Sequence, residues 1–182
     1  MRTRLCLAAS AVLLTTGCGG EPEPVAVPPV EPVTVEVAAA SSGGACRLLD
    51  FAVIEEHAGV RFAVAAASDK GDTHTCVVRA AGATLPELTL TVTDTSIDVP
   101  TFTADVQPKG ATKVSKLGQV AYRRALAKTA KHGPVAEVGW LAAEDRLATL
   151  HWTCEPGAAK GEAEELAGKL VTLARKIDTR AM

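Results

Sequence analysis

Leu88, Leu90 and Val92 alternate with Thr89, Thr91 and Thr93, the cleanest period of two in the chain. Such a segment buries one side and wets the other, which predicts an antiparallel sheet with a single covered face. The strand is expected over Pro86 to Thr93. Val60 to Ala67 reads as an earlier strand with Val60, Phe62 and Val64 on one face. Thr73 to Ala80 is its return across the turn Asp69-Lys70-Gly71-Asp72. Val135 to Leu141 and Leu147 to Cys154 predict a second hairpin, turning at Ala143-Glu144-Asp145. The count is about five strands.

The helical period is clearest near the C-terminus. Ala163, Leu166, Leu170, Leu173 and Ile177 recur at spacings of three and four, beyond a break at Pro156-Gly157. Glu165 and Lys169 add a supportive i,i+4 pair. Asp50 is a good N-cap for a short helix from Phe51 to Ala58, and Gly59 is its left-handed stop. Gly118 to Lys131 reads as a helix sharing Tyr122, Ala125, Leu126 and Thr129 on one face, or as a short strand followed by a loop. Asp94 to Gly110 is expected to be a long irregular connection. The sum is an α+β domain: an antiparallel sheet of about five strands with the C-terminal helix packed on one face.

The N-terminal pattern is different. Arg2 and Arg4 precede an apolar run from Leu5 to about Thr16, and Gly17-Cys18 follow. A membrane-spanning helix needs roughly 20 apolar residues, so this run reads as a cleavable export signal over residues 1–17. Leu14, Gly17 and Cys18 resemble the lipobox of bacterial lipoproteins, with Thr15 where Leu is commonest. Cys18 is therefore the expected lipidation site and the mature N-terminus. The chain would be lipid-anchored on the extracytoplasmic face of the cell membrane. Residues 18–44 then hold the lipidated cysteine and a tether, with Pro22, Pro24, Pro28, Pro29 and Pro32 interleaved with Glu21, Glu23, Glu31 and Glu36. Proline fixes φ and removes donors, which favours an extended spacer of about 3.1 Å per residue. The single folded domain is expected over 45–182.

Composition narrows the core and the partners. Aromatic residues make up only 3% of the chain, so the core must be built from small aliphatics. Residues 1–17 carry Arg2 and Arg4 and no acidic residue, so the formal net charge of −2 becomes −4 without them. A mildly acidic chain does not read as a nucleic-acid binder. Export to an oxidising compartment predicts one disulfide among Cys46, Cys76 and Cys154, and spacing leaves all three pairings open.

The signal, the lipobox and the proline-rich tether are followed by Cys46-Arg47-Leu48-Leu49-Asp50, ahead of a short helix ending at Gly59. A second cysteine stands in a later strand. Together these resemble a family of actinobacterial lipoproteins of unknown function. Val114-Ser115-Lys116-Leu117-Gly118-Gln119-Val120-Ala121 is similar to that family's Val-x-Gly-Leu-Gly-x-x-Ala element, with Lys116 in place of its first glycine. The resemblance covers most of Ala45 to Ile177. It implies a disulfide between Cys46 and Cys76 and a fold akin to the PsbP-like α/β sandwich. Cys154 is outside the pattern, and the family brings no catalytic residues to carry over.

Candidate chemistry is sparse. His74 and Cys76 would share one strand face, whereas His151 and Cys154 would not, so these pairs do not converge as metal ligands. There is no Gly-x-Ser-x-Gly elbow, no His-Glu-x-x-His and no glycine-rich phosphate loop. Glu55-Glu56-His57 reads as a solvated last helical turn, and Trp140 and Trp152 as core residues. From Val106 to Ala136 there are seven basic residues and no acidic one before Glu137: Lys109, Lys113, Lys116, Arg123, Arg124, Lys128 and Lys131. They read as a solvated face neutralised by neighbours from other segments, or as a contact to an anionic surface. The resulting expectation is a non-catalytic domain, without cofactor or metal, that binds an envelope protein or an amphiphilic lipid-like ligand. The alternatives are a structural accessory subunit of an envelope complex, or an extracytoplasmic enzyme.

Overall fold

The computed structural model describes residues 39–143 and 145–182. The expected signal over 1–17, Cys18 and residues 19–38 of the expected tether lie outside the described residues. The described chain is an α+β domain with one seven-stranded antiparallel sheet. The strands are β1 (Val64–Lys70), β2 (Thr73–Arg79), β3 (Glu87–Asp94), β4 (Thr112–Val114), β5 (Val120–Leu126), β6 (Val135–Ala142) and β7 (Arg146–Thr153). Their spatial order is β1-β2-β3-β7-β6-β5-β4. Two meanders are thus joined where β3 pairs with β7, from Glu87 opposite Thr153 to Asp94 opposite Arg146.

Helix α1 (Phe51–Ala58) is capped as expected: the Asp50 carboxylate accepts from the Ala52 and Val53 amides, and Gly59 ends it at φ 76°. A short helical turn, α2 (Val99–Thr101), runs on into a π-helical turn, Phe102–Val106. Helix α3 (Lys160–Ala174) packs on β5 and β6 and touches α1. Its buried stripe is Ala163, Ala167, Leu170, Val171, Leu173 and Ala174.

Alternation sorts the sheet residues onto two faces. The helix-covered face carries Cys76, Val78, Leu88, Leu90, Val92, Ala136, Val138, Trp140, Ala148, Leu150 and Trp152, all in one buried cluster. Helix α3 covers this face over β5 and β6. Over β1, β2 and β3 it is covered by the 3-10 turn Gly44–Leu48, which buries Ala45 and Cys46. Cys46 is bonded to Cys76, tying that turn to the second strand.

Four differences from the sequence expectation have identifiable causes. The sheet has seven strands rather than about five, because β4 and β5 join it. Of the two readings of Gly118–Lys131 the structure takes the strand followed by a loop, β5: Val120 to Leu126 pair fully with Leu141 to Val135. Both faces of β5 carry buried residues, Ala121 on one and Tyr122 on the other, which blurs the alternation. The first strand begins at Val64, not Val60. Phe62 is spent as an anchor in the core, 5.1 Å from the Trp152 ring, while Val64 is 52% exposed on the outer face. The connection 95–111 is not irregular throughout: its helical turns bury Phe102 against Tyr122 and Leu141 on the outer face. Residues 39–44, read as the end of the tether, pack on the domain. Ala39 is buried, and the Ser42 hydroxyl donates to the Ala65 carbonyl at 2.9 Å.

The disulfide closes a loop with a sequence separation of 30 residues. Its removal by Cys46→Ala with Cys76→Ala is expected to lower unfolding free energy by about 3–4 kcal/mol through the freed denatured chain. Urea unfolding of the oxidised protein and of the double variant measures this; equal midpoints would show that the bridge adds nothing.

Candidate functional site

The most ligand-like feature of the described chain is a cleft of about 480 Å³ where α1, α3 and one end of the sheet meet. The left-handed turn at Gly59 sends the chain from Ala58 back along the helix layer, bringing Val60 to the cleft wall. Pro86, just ahead of β3, and Trp152 and Cys154, at the end of β7, form the sheet side. Leu166 faces them from α3. The charged residues Glu155, Glu162, Glu165 and Lys169 also line the cleft, and Lys169 is 3.1 Å from the Glu165 carboxylate. The arrangement is an apolar interior with charged groups around it. Such a cleft accepts an apolar chain and leaves a polar head near the charged side chains.

Cys154 is the free cysteine of the described residues and is 7% exposed. Burial, and then the charge of Glu162, push its thiol above the ordinary cysteine value. A thiol held protonated is a poor nucleophile. It serves here as a small apolar wall residue.

The second concentration of polar groups is on the opposite face of the sheet. Glu137 is 6% exposed in the middle of β6. Its carboxylate accepts from the Tyr122 hydroxyl at 2.8 Å, and from Arg124 Nε at 2.9 Å and Nη2 at 3.0 Å. Burial, and then the Glu137 charge, raise the Tyr122 hydroxyl well above the ordinary tyrosine value. Tyr122 reaches Glu137 by lying across Gly139, its partner in the β5–β6 ladder. A Cβ at position 139 would stand 2.6 Å from the Tyr122 ring. His151 is opposite Glu137 on β7. Burial holds its imidazole below the ordinary value, with the Glu137 charge pulling the other way. Both carboxylate oxygens are occupied, and the phenol is donating. This cluster is an ion pair closed by hydrogen bonds, with no nucleophile beside a free base.

A third group joins Asp69 and His74 at 2.7 Å on the β1–β2 hairpin, with Asp94 and Arg146 3.2 Å apart in the same hollow. Among the described residues no hydroxyl or thiol is hydrogen-bonded to His74, so the Asp–His pair lacks the third member a nucleophilic site needs.

The seven basic residues do not form one surface. Lys109 is in the turn before β4, Lys113 on edge strand β4, and Lys116 in the β4–β5 turn at φ 59°. Alternation places Arg123 on the helix-covered face and Arg124 on the other, where Glu137 neutralises it. Lys128 and Lys131 are exposed in the β5–β6 loop. Trp140 and Trp152 are core residues, at 2% and 3% exposure, and Trp152 also lines the cleft. The pairing of Tyr122, Arg124 and Glu137 was missed from sequence. The available signal was a single carboxylate inside the otherwise apolar Val135–Leu141 run.

Gly139→Ala forces the Tyr122 ring off β6 and is expected to cost about 1–3 kcal/mol of stability, as overpacking does. Adding Tyr122→Ala should recover part of the glycine-site loss, which a double-mutant cycle in urea measures; strict additivity would refute the contact.

His151 is favoured as the neutral ring in the fold, so the unfolded chain takes its proton more readily. Its contribution is complete above the usual histidine value near 6.5 and is lost as pH falls through its lower folded value. The slope of unfolding free energy with pH between about 7 and 5 should therefore be shallower in His151→Gln than in the unaltered protein. Identical slopes would remove His151 from the pH response.

Comparison with known proteins found no matching family model, no matching curated sequence and no matching solved structure, so the geometry itself has to carry the functional reading.

Proposed function

We propose that this chain is a cell-envelope lipoprotein, held on the extracytoplasmic face of the membrane through Cys18, whose folded unit is a non-catalytic binding domain for an amphiphilic envelope component. The observation that carries the reading is the cleft of about 480 Å³ bounded by Ala58, Val60, Pro86, Trp152, Cys154 and Leu166. Its apolar interior suits an acyl or similar chain, and its charged surroundings suit a polar head. The Cys46–Cys76 bridge supports an oxidising compartment. Two features favour a small ligand over a partner protein or a substrate. Among the described residues Val64 is the one large exposed hydrophobic, so no broad apolar docking patch competes with the cleft. The buried Glu137 is paired with Tyr122 and Arg124 rather than poised for chemistry.

The likeness to the actinobacterial lipoproteins and to the PsbP-like sandwich is part of this proposal. The antiparallel sheet with α3 across one face supports it. So does Lys116, whose φ of 59° is a left-handed conformation natural to the glycine that the motif has there.

The full-length Cys18→Ser chain, expected to leave the membrane fraction, is titrated with a fluorescent fatty acid and with lysophosphatidylcholine. Saturable binding is expected, and Leu166→Glu should weaken it at least tenfold while leaving the far-ultraviolet circular dichroism unchanged. Alkylation of Cys154 should slow when the cleft is filled. Absence of saturable binding, together with an unchanged Cys154 alkylation rate, would overturn the reading.

A further inference from the structure

A second cleft, of about 350 Å³, lies between the β4–β5 edge of the sheet and the first two turns of α3. Gly110, Thr112, Arg123, Ala125, Lys160, Glu164 and Ala167 bound it, and it is predominantly polar. Arg124 also borders it, but its guanidinium is held by Glu137.

Arg123 is the unusual member. Among the described residues it is the one partly buried arginine with neither a hydrogen bond nor an ion pair. The other two of that exposure class are satisfied, Arg124 by Glu137 and Arg146 by Asp94 and the Thr179 carbonyl. A guanidinium stays charged at any physiological pH, so it cannot relieve partial burial by losing a proton. It is stabilised there by water or by an anion that enters.

The helix makes room for it. Gly168 is in the interior of α3, where glycine costs roughly 1 kcal/mol relative to alanine. A Cβ at position 168 would stand 3.0 Å from Arg123 Nη1. The glycine therefore lets the guanidinium lie against the helix. Glu164 does not come within ion-pair distance of Arg123; its carboxylate is 3.5 Å from Lys160 Nζ. The N-cap position of α3 is Ala159, which offers no side-chain cap, and Glu162 is the acidic residue of the first turn. Lys109 and Lys113 are exposed on the same edge, but Lys113 pairs with Tyr122 and so stands on the opposite face of the sheet from Arg123. Lys160 and Glu164 thus offset one another, and Arg123 is the uncompensated charge of the cleft.

We infer that this cleft is an anion site, separate from the apolar cleft, that binds a phosphate group through the Arg123 guanidinium with Lys160 opposite. Arginine recognises such oxyanions bidentately. The volume exceeds that of a bare phosphate, so a phosphate bearing a glycerol-sized substituent fits. Two sources share this chemistry: a soluble phosphate ester and the headgroup of an anionic phospholipid.

The test uses the full-length Cys18→Ser chain, labelled with ¹⁵N, at constant ionic strength. Inorganic phosphate and glycerol 3-phosphate are titrated separately, with chloride as the control, and phosphatidylglycerol vesicles are compared with phosphatidylcholine vesicles. Saturable shifts at the Gly110 and Gly168 amides and at Arg123 Nε are expected, with the apparent Kd raised at least tenfold in Arg123→Gln. Gly168→Ala should weaken binding by displacing the guanidinium, and Lys160→Gln provides a second variant should Arg123→Gln fail to fold. Competition by phosphatidylglycerol vesicles would assign the site to lipid headgroups; binding of soluble esters alone would assign it to solutes. Non-saturating shifts spread over the surface lysines, equal with chloride and unchanged in the variants, would overturn the site.

Discussion

The ladder between β3 and β7 is what makes this chain one sheet. Each meander by itself has two open edges. Pairing Leu88 with Trp152, Leu90 with Leu150 and Val92 with Ala148 places the most hydrophobic strand of the first meander against the end strand of the second. All six residues are in the core. The partners are about 60 residues apart in sequence, so loop closure must be overcome before the contact contributes anything. The connection that spans them is folded onto the outer face, where Phe102 packs 5.9 Å from the Tyr122 ring. The crossover and the pairing support one another.

With so few aromatic rings, the core is filled by close approach rather than by bulk. Alanines on α3 and on β5, β6 and β7 let the helix settle onto the sheet, and buried methyl-sized residues leave little room for substitution. At the other half of that face the cover is two short 3-10 turns, Ala39–Ser42 and Gly44–Leu48, and the Cys46–Cys76 bridge holds the second to β2. The bridge compensates for the small apolar area that such a turn buries.

The two clefts follow from how the helix layer is divided. Helix α1 and helix α3 meet over the end of β7, and the gap between them leaves an apolar interior. Helix α3 packs on β5, and between its first two turns and the β4–β5 edge the sheet presents Arg123. On the outer face, by contrast, Glu137, Arg124 and Tyr122 satisfy one another. A charge pair that well hydrogen-bonded is costly to break from one side, which makes it a constraint on β5 register rather than a reactive group. The apolar cleft and the cationic cleft have different chemistry, and their ligands need not be related.

Much of the fold was legible in the chain itself. The Leu88–Val92 alternation, the Ala163–Leu173 stripe, the Asp50 cap and the Gly59 stop act within a few residues, and local sterics and burial periodicity determine them. What reached across the chain was not legible. β5 read equally as helix or strand because Tyr122 and Ala121 are both buried, on opposite faces, and only β6 and β4 on either side decide its pairing. Neither the Tyr122–Glu137–Arg124 cluster nor the unpartnered state of Arg123 has a local signature. Each depends on whether a carboxylate from a distant segment arrives within hydrogen-bond reach, and only tertiary packing brings Glu137 to Arg124 and keeps Glu164 from Arg123.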